Sequence, residues 1–156
     1  YQCPKCKEWF LNTKPDIVTN YIDTGKANLY FVDLAFLGDD SLPAAAATYC
    51  AEEQGVYWEY HSYLYSNQRG IDSGWANTSS LQNYAQVLGL DQDAFASCMD
   101  SGKYGEAVVF NLEEGINSGV KATPSFIIVG PGGQTESIQG PQPYPVFESV
   151  IESMIS

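Results

Sequence analysis

The chain opens on Tyr1-Gln2-Cys3-Pro4-Lys5-Cys6, a stretch in which two thiols are separated by two residues. Proline is favoured in the first turn of a helix, and Phe10 follows Cys6 at helical spacing, so we predict that a helix begins at Cys3. The free amides and the dipole of a helix start stabilise a thiolate, and thiol pKa values in such motifs fall to about 3.5 to 7. Cys3 is therefore the predicted nucleophile and Cys6 the resolving thiol.

Two other interpretations of this thiol pair are half of a zinc site and an inert disulfide. Zinc requires further Cys or His ligands at matching spacing, whereas Cys50, Cys98 and His61 are single residues in different predicted helices. We favour redox chemistry, because the pair precedes a helix, and we expect no metal. His61 stands among aromatic residues and is assigned a packing role.

The remaining pattern is mostly helical. Pro15 should break or kink the first helix, so residues 4–24 form one kinked helix or two in tandem. Further helices are predicted within 41–102, including 80–88 and 92–99 with Ser79 and Asp91 as their caps, and then over 104–117 and 144–155. Strands are predicted over 27–37, 125–129 and 134–139, the last two as a hairpin around a glycine-rich turn.

Composition indicates one acidic globular domain. The chain has 156 residues, of which 44% are hydrophobic, and its 19 acidic and 7 basic residues give a formal net charge of −12. Because there is no Lys/Arg stripe to neutralise phosphates, nucleic acid is excluded as a partner, and anionic membrane surfaces are equally disfavoured. No segment reaches the 18 or so apolar residues of a membrane helix.

Three segments together resemble one family. The Tyr1–Cys6 motif, the block Cys50–His61 with its Tyr-Trp-Glu-Tyr-His end, and Gly119–Phe126 occur in the order found in DsbA-like thiol:disulfide oxidoreductases of the thioredoxin superfamily. The resemblance covers essentially the whole chain. It implies an α/β thioredoxin fold with three α/β/α layers and a mixed central sheet, formed by residues 1–37 and 103–156, with an all-helical insertion over 38–102.

The resemblance also implies roles for individual residues. Thr123 and Pro124 match the cis-proline loop that offers backbone hydrogen bonds to an extended substrate. Family members often pair cysteines at the positions of Cys50 and Cys98, and we favour a structural disulfide there over two buried thiols.

The two residues between the thiols are predicted to modulate the pair. Pro4 shapes the helix start, and Lys5 adds a positive charge whose effect solvent screening reduces. Lys5 stands where DsbA-type oxidases commonly have a histidine. A threonine before the proline, as at Thr123, resembles relatives that act as isomerases or reductases. The oxidase direction is still favoured.

The function expected on this basis is disulfide exchange with reduced or misoxidised exported polypeptides. No metal or organic cofactor is expected. The expected location is extracytoplasmic, that is periplasmic, cell-surface or secreted. A membrane protein is the expected redox partner, and the protein is expected to be a monomer. The rival interpretation is a binding protein, in which the thiol pair holds copper or zinc or locks a protein-binding surface without turnover.

The resembling fold places a strand before the Cys-Pro-x-Cys helix, at the centre of its sheet. Only Tyr1 and Gln2 precede Cys3, so the predicted sheet is one strand short and would leave backbone groups unpaired. We expect the native protein to begin upstream, with a β-strand and a signal or membrane anchor before it.

Overall fold

The computed structural model describes residues 1–155. Helices dominate the first part of the chain, a two-stranded sheet follows, and a helix closes it. The elements are α1 (Pro4–Asn12), α2 (Lys14–Ile17), a π-helical turn (Val18–Ile22), α3 (Ser41–Glu52), α4 (Tyr57–Asn67), α5 (Thr78–Val87), α6 (Gln92–Ser101), α7 (Gly105–Asn117), β1 (Ser125–Val129), β2 (Thr135–Gln139) and α8 (Tyr144–Ile155). None of the helices in this range has the length and apolar character needed to cross a bilayer.

The chain forms two compact units. The helical unit consists of Tyr1–Cys3 and Val32–Gly119, and the hairpin unit consists of Pro4–Phe31 and the chain from Val120 onward. The division falls inside the thiol motif, directly after Cys3. The domain boundaries expected from the sequence, at residues 37 and 102, stay a prediction.

Helix α3 is the centre of the helical unit, where it packs against α4, α5, α6 and α7. Small residues on α3, among them Ala44, Ala47 and Ala51, are fully buried, and they let the neighbouring helices approach closely. Larger side chains fill the space between the helices. The Tyr60 and Phe95 rings lie 5.5 Å apart, and the Tyr60 hydroxyl donates to the Leu81 carbonyl at 2.7 Å.

A disulfide joins Cys50 on α3 to Cys98 on α6. Both side chains are buried, and the bond closes a loop between residues 48 positions apart. A covalent link across a loop of this length limits the unfolded chain far more than the folded one, which stabilises the fold.

Helix caps account for two helix starts. Asp91 caps α6 as predicted, because its carboxylate accepts the Ala94 amide at 2.9 Å. The prediction that Ser79 caps the preceding helix is wrong. Asn77 has an extended backbone, and its side-chain oxygen accepts the Ser80 amide at 2.9 Å, so α5 already begins at Thr78.

The hairpin unit is built around aromatic side chains. Strands β1 and β2 pair antiparallel from Ser125 opposite Gln139 to Val129 opposite Thr135, which confirms the predicted hairpin. Trp9 of α1 lies 4.6 Å from the Phe126 ring and 6.0 Å from the Phe147 ring of α8. The apolar face of α1 therefore packs on the hairpin and on the last helix.

The prediction of a strand over residues 27–37 is wrong. An extended, apolar segment becomes a strand only when a neighbouring strand provides ladder partners, and the described sheet consists of β1 and β2 alone. Tyr30 and Val32 of this segment are 84% and 52% exposed. Within the described residues, the expected mixed sheet is thus represented by one antiparallel pair.

Replacing both cysteines of the disulfide, in Cys50→Ala/Cys98→Ala, should lower the free energy of unfolding by about 2 to 5 kcal/mol. The cause is the restored conformational freedom of the unfolded loop. Guanidinium unfolding of the variant and the parent protein measures the difference. Alkylation without reductant followed by mass measurement checks the pairing, and modification of Cys50 or Cys98 in the parent protein would contradict it.

Candidate redox site

Cys3 and Cys6 lie at the beginning of α1. Cys3 directly precedes the helix and is buried, while Cys6 belongs to its first turn and is partly buried. The predicted helix start is confirmed, since α1 begins at Pro4. The backbone amides of the first turn therefore follow Cys3 directly along the chain, which is the arrangement that favours a thiolate.

Pro4 and Lys5 lie on the exposed side of this first turn. The Lys5 ammonium forms an ion pair with the Glu8 carboxylate at 2.8 Å, and its side chain is 65% exposed. Exposed ion pairs of this kind contribute about 0 to 1 kcal/mol. The Glu8 carboxylate therefore offsets part of the Lys5 charge, and the modulating role of Lys5 stays a prediction.

The backbone on either side of Gln2 is held by Gln68, which directly follows α4. The Gln68 side-chain nitrogen donates to the Cys3 carbonyl at 2.9 Å and also to the Tyr1 carbonyl. Gln68 is 8% exposed, so solvent does not compete for these bonds. No local sequence pattern predicts this contact, because it joins residues that are 65 positions apart.

The Gln2 side chain is held separately. Its nitrogen donates to the Leu37 carbonyl at 2.7 Å and to the Asp72 carboxylate at 2.9 Å, and its oxygen accepts the Asp72 amide at 2.7 Å. Both polar ends of this buried amide are thereby satisfied. Residues 1–3 are thus attached to the helical unit at every position.

Asp72 in turn binds the turn before α3. Its carboxylate accepts the amides of Asp39 and Asp40, each at 3.1 Å. The hydrogen bond from Gln2 and those from the two amides hold the pKa of Asp72 below its usual value. A side chain at Gly38 would place its Cβ 2.2 Å from the Asp72 carboxylate, and Gly38 has φ +77°, so glycine is required there.

Tyr1 lies in an aromatic cluster on α4. Its hydroxyl and His61 Nδ1 are hydrogen bonded at 2.9 Å, and its ring lies 5.2 Å from that of Tyr65. His61 is 2% exposed, and the Trp58 ring lies 5.1 Å from it. The histidine is therefore part of the packing between α4 and the start of the chain, as predicted.

A buried carboxylate, Asp33, lies in the same unit. It is 3% exposed and accepts the Tyr49 hydroxyl at 2.8 Å, and Asn111 donates to that hydroxyl at 3.0 Å. Burial raises the pKa of Asp33, and the bond from Tyr49 offsets part of this rise. Burial, with the Asp33 charge, also raises the pKa of Tyr57 to about 12.

The other predicted site residues precede β1, in the hairpin unit. The Thr123–Pro124 peptide bond is cis. Pro124 is buried, and its carbonyl accepts the Gly140 amide at 2.8 Å, while Thr123 is partly exposed. The loop is thus anchored to the end of β2 and leaves part of Thr123 accessible.

Side chains that could bind a metal ion do not cluster in the described part of the chain. Across residues 1–155, no group of three or more His, Cys, Asp or Glu side chains is arranged to hold a metal ion.

A thiol pair at a helix start, combined with a helical block ahead of a cis-proline hairpin, defines a DsbA-like protein of the thioredoxin fold. Residues 1–152 match the thioredoxin family, and the chain belongs to it. Oxidised BdbD from Bacillus subtilis superposes with a TM-score of 0.84 at 22% identity, over 99% of this chain and 82% of that one, which shows the fold. The α-DsbA1 protein of Wolbachia pipientis gives 0.81 at 29% identity, over 98% and 80%.

Curated relatives are similar in sequence. The probable disulfide bond formation protein D of Bacillus anthracis is 27% identical over 134 residues, which is 83% of this chain and 62% of the relative. Disulfide bond formation protein D of Bacillus subtilis is 26% identical over 140 residues, covering 82% and 59%. The chain therefore spans about three fifths of the length of these relatives.

Replacing the buried carboxylate in Asp33→Asn should stabilise the protein near neutral pH. Because its pKa is raised by burial, folded Asp33 retains its proton more strongly than the unfolded chain, so wild-type stability falls as pH rises above about 3.9, the pKa of an ordinary Asp. Asparagine keeps an acceptor for Tyr49 without a charge. Urea unfolding across pH should show an advantage for the variant that disappears toward acid pH.

The matched control is Asp100→Asn, which changes an exposed aspartate of the same unit. It should lack this pH-dependent advantage. A wild type more stable than Asp33→Asn at neutral pH would show that the ionised Asp33 is favoured by its surroundings and would contradict the raised pKa.

Proposed function

We propose that this protein is a thiol:disulfide oxidoreductase that exchanges disulfides with polypeptides, with Cys3 as nucleophile and Cys6 as resolving thiol. The observation that carries the proposal is the position of Cys3-Pro4-Lys5-Cys6 at the start of α1 in a thioredoxin-family chain. Two curated relatives bear the name disulfide bond formation protein, which agrees with this chemistry.

The exchange begins with Cys3 and Cys6 joined as a disulfide. A substrate thiolate attacks Cys3 Sγ, the Cys3–Cys6 bond breaks, and Cys6 leaves as a thiolate. A second substrate thiolate then attacks the substrate sulfur of the mixed disulfide and expels the Cys3 thiolate. The substrate loses two electrons and gains a disulfide, and the protein is left as a dithiol that an oxidising partner must restore.

Cys3 suits the position of attacked sulfur and leaving group. A low-pKa thiolate is a good leaving group, and the helix start lowers the free energy of that thiolate. Pro4 and Lys5 modulate the pair from the exposed side of the turn.

Thr123 and Pro124 are the proposed substrate-binding residues. The partly exposed Thr123 offers backbone groups to an extended polypeptide, while the buried Pro124 holds the loop against β2. Such main-chain bonding does not depend on substrate sequence, which suits an enzyme that acts on many polypeptides.

We assign the protein the oxidase direction and an extracytoplasmic location. The buried Cys50–Cys98 disulfide supports an oxidising compartment, because such bonds are rare where thiols are kept reduced. Its substrates are then reduced or misoxidised exported polypeptides, and a membrane redox partner re-oxidises the thiol pair. The protein acts as a monomer and needs no cofactor.

Substitution of each thiol separates the two steps. In Cys6→Ala the Cys3 thiolate should attack a disulfide-containing peptide, expel one peptide thiolate and accumulate as a mixed disulfide, because the resolving thiol is gone, and mass spectrometry should place the adduct on Cys3. Cys3→Ser should form no adduct and should lose oxidation of a reduced, scrambled substrate and reduction of insulin.

The control is Cys50→Ala/Cys98→Ala, which should keep exchange activity under conditions in which it is folded. If the wild type showed no exchange and bound stoichiometric copper or zinc through Cys3 and Cys6, the protein would be assigned as a metal-binding protein and not as an enzyme.

The reduction potential of the Cys3–Cys6 pair determines the direction of exchange. Equilibration with glutathione should give a value nearer to the about −120 mV of strong disulfide donors than to the about −270 mV of reductases. A value at the reducing end would overturn the oxidase direction and leave the exchange chemistry intact.

A further inference from the structure

Gln68 stands where α4 ends, and its buried side chain points back to the start of the polypeptide. Its backbone has φ −55° and ψ 132°, and its amide donates to the Tyr65 carbonyl at 3.3 Å, so the residue is part of the helix ending. From this position one side-chain nitrogen bonds two carbonyls, those of Tyr1 and Cys3. A rigid helix of the helical unit therefore determines where the Cys3 backbone lies.

The orientation of Cys3 matters because stabilisation of a thiolate by helix amides falls off within the first turn. A sulfur that rotates away from those amides loses the benefit. Gln2 is held by Leu37 and Asp72 through its side chain, whereas Gln68 holds the main chain on both sides of it. Gln68 is the side chain bonded to the carbonyl of Cys3 itself.

We propose that Gln68 is a positioning residue for Cys3: its side-chain amide fixes the main chain of the nucleophile at the residue that directly precedes α1. The inference rests on the proposed function, in which Cys3 is the attacked sulfur and then the leaving thiolate. Gln68 does not contact the substrate or exchange electrons. It acts on the thiol pair through the backbone of residues 1–3.

The test is Gln68→Met, which keeps a side chain of similar length and removes the donor. In the reduced variant, iodoacetamide should modify Cys3 more slowly at about pH 6 by roughly fivefold, the factor that one net hydrogen bond represents. At about pH 10 the two rates should agree, because both thiols are then ionised. Peptide mass mapping follows Cys3 alone.

The matched control is Gln54→Met. Gln54 also makes two bonds between its side chain and a distant backbone, donating to the Asp91 carbonyl at 3.2 Å and accepting the Asp91 amide at 2.8 Å. It lies in the same unit and bonds no residue of the thiol motif, so its pH profile should match that of the wild type. The titratable groups that face the segment are identical in all variants. They are Cys6 and Lys5 on α1, and Tyr1, Asp72, His61, Asp33, Tyr57 and Tyr65 in the helical unit.

A pH profile of Gln68→Met equal to that of the wild type overturns the inference, as does an equal shift in Gln54→Met, which would indicate general loosening. Faster modification at every pH would also overturn it, because that result reports exposure and not ionisation. Circular dichroism verifies folding. Gln68→Asn has a side chain one methylene shorter, which does not reach the two carbonyls. It should also slow the modification of Cys3 at about pH 6, and it replaces the methionine variant if that variant unfolds.

Failure of this inference is distinct from failure of the proposed function. Alkylation of Cys3 requires no turnover, so the profile is measurable even in a protein without exchange activity. An active wild type with an unchanged Gln68→Met profile removes the positioning role alone, while an inactive wild type removes the oxidoreductase assignment alone.

Discussion

The attachment of residues 1–3 to the loop after α4 is the constraint on which the thiol motif depends. These residues have no secondary structure of their own, so side-chain amides supply the bonds that a strand or helix would otherwise make. Gln68 bonds the main chain and Asp72 bonds Gln2, and both are part of the same loop. The backbone of Cys3, which leads directly into α1, is thus held by residues far away in sequence.

Local patterns were sufficient to predict most elements. The helix starting at Pro4, the Asp91 cap and the hairpin follow from proline position, capping chemistry and turn residues, all of which act over a few residues. The apolar content of segment 27–37 predicts a strand, but a strand also needs a partner, and Tyr30 and Val32 are exposed in the structure. The Asn77 cap was missed because Ser79 offered an equally good local signal.

The residues of the candidate site also differ in how far the sequence predicts them. Cys3, Cys6 and Pro124 belong to short motifs that can be recognised directly in the sequence. Gln68 and Asp33 have no such motif, because a buried amide or carboxylate acquires its role only from contacts made over long sequence distances. The Asp33–Tyr49 bond also shows that the helical unit contains a polar centre among its apolar side chains, where the protonation state of one group depends on its burial.

The close approach of Gly38 to Asp72 has a consequence for sequence variation. A methyl group at position 38 would displace the carboxylate that accepts the Gln2 side-chain nitrogen, and the Gln2 side chain would lose one of its hydrogen bonds. A substitution 35 residues after Cys3, in a turn with no reactive group, would then loosen the segment that carries the thiol motif. Tolerance to change at such positions is therefore set by the hydrogen bonds that hold residues 1–3, and distance along the sequence is a poor guide to it.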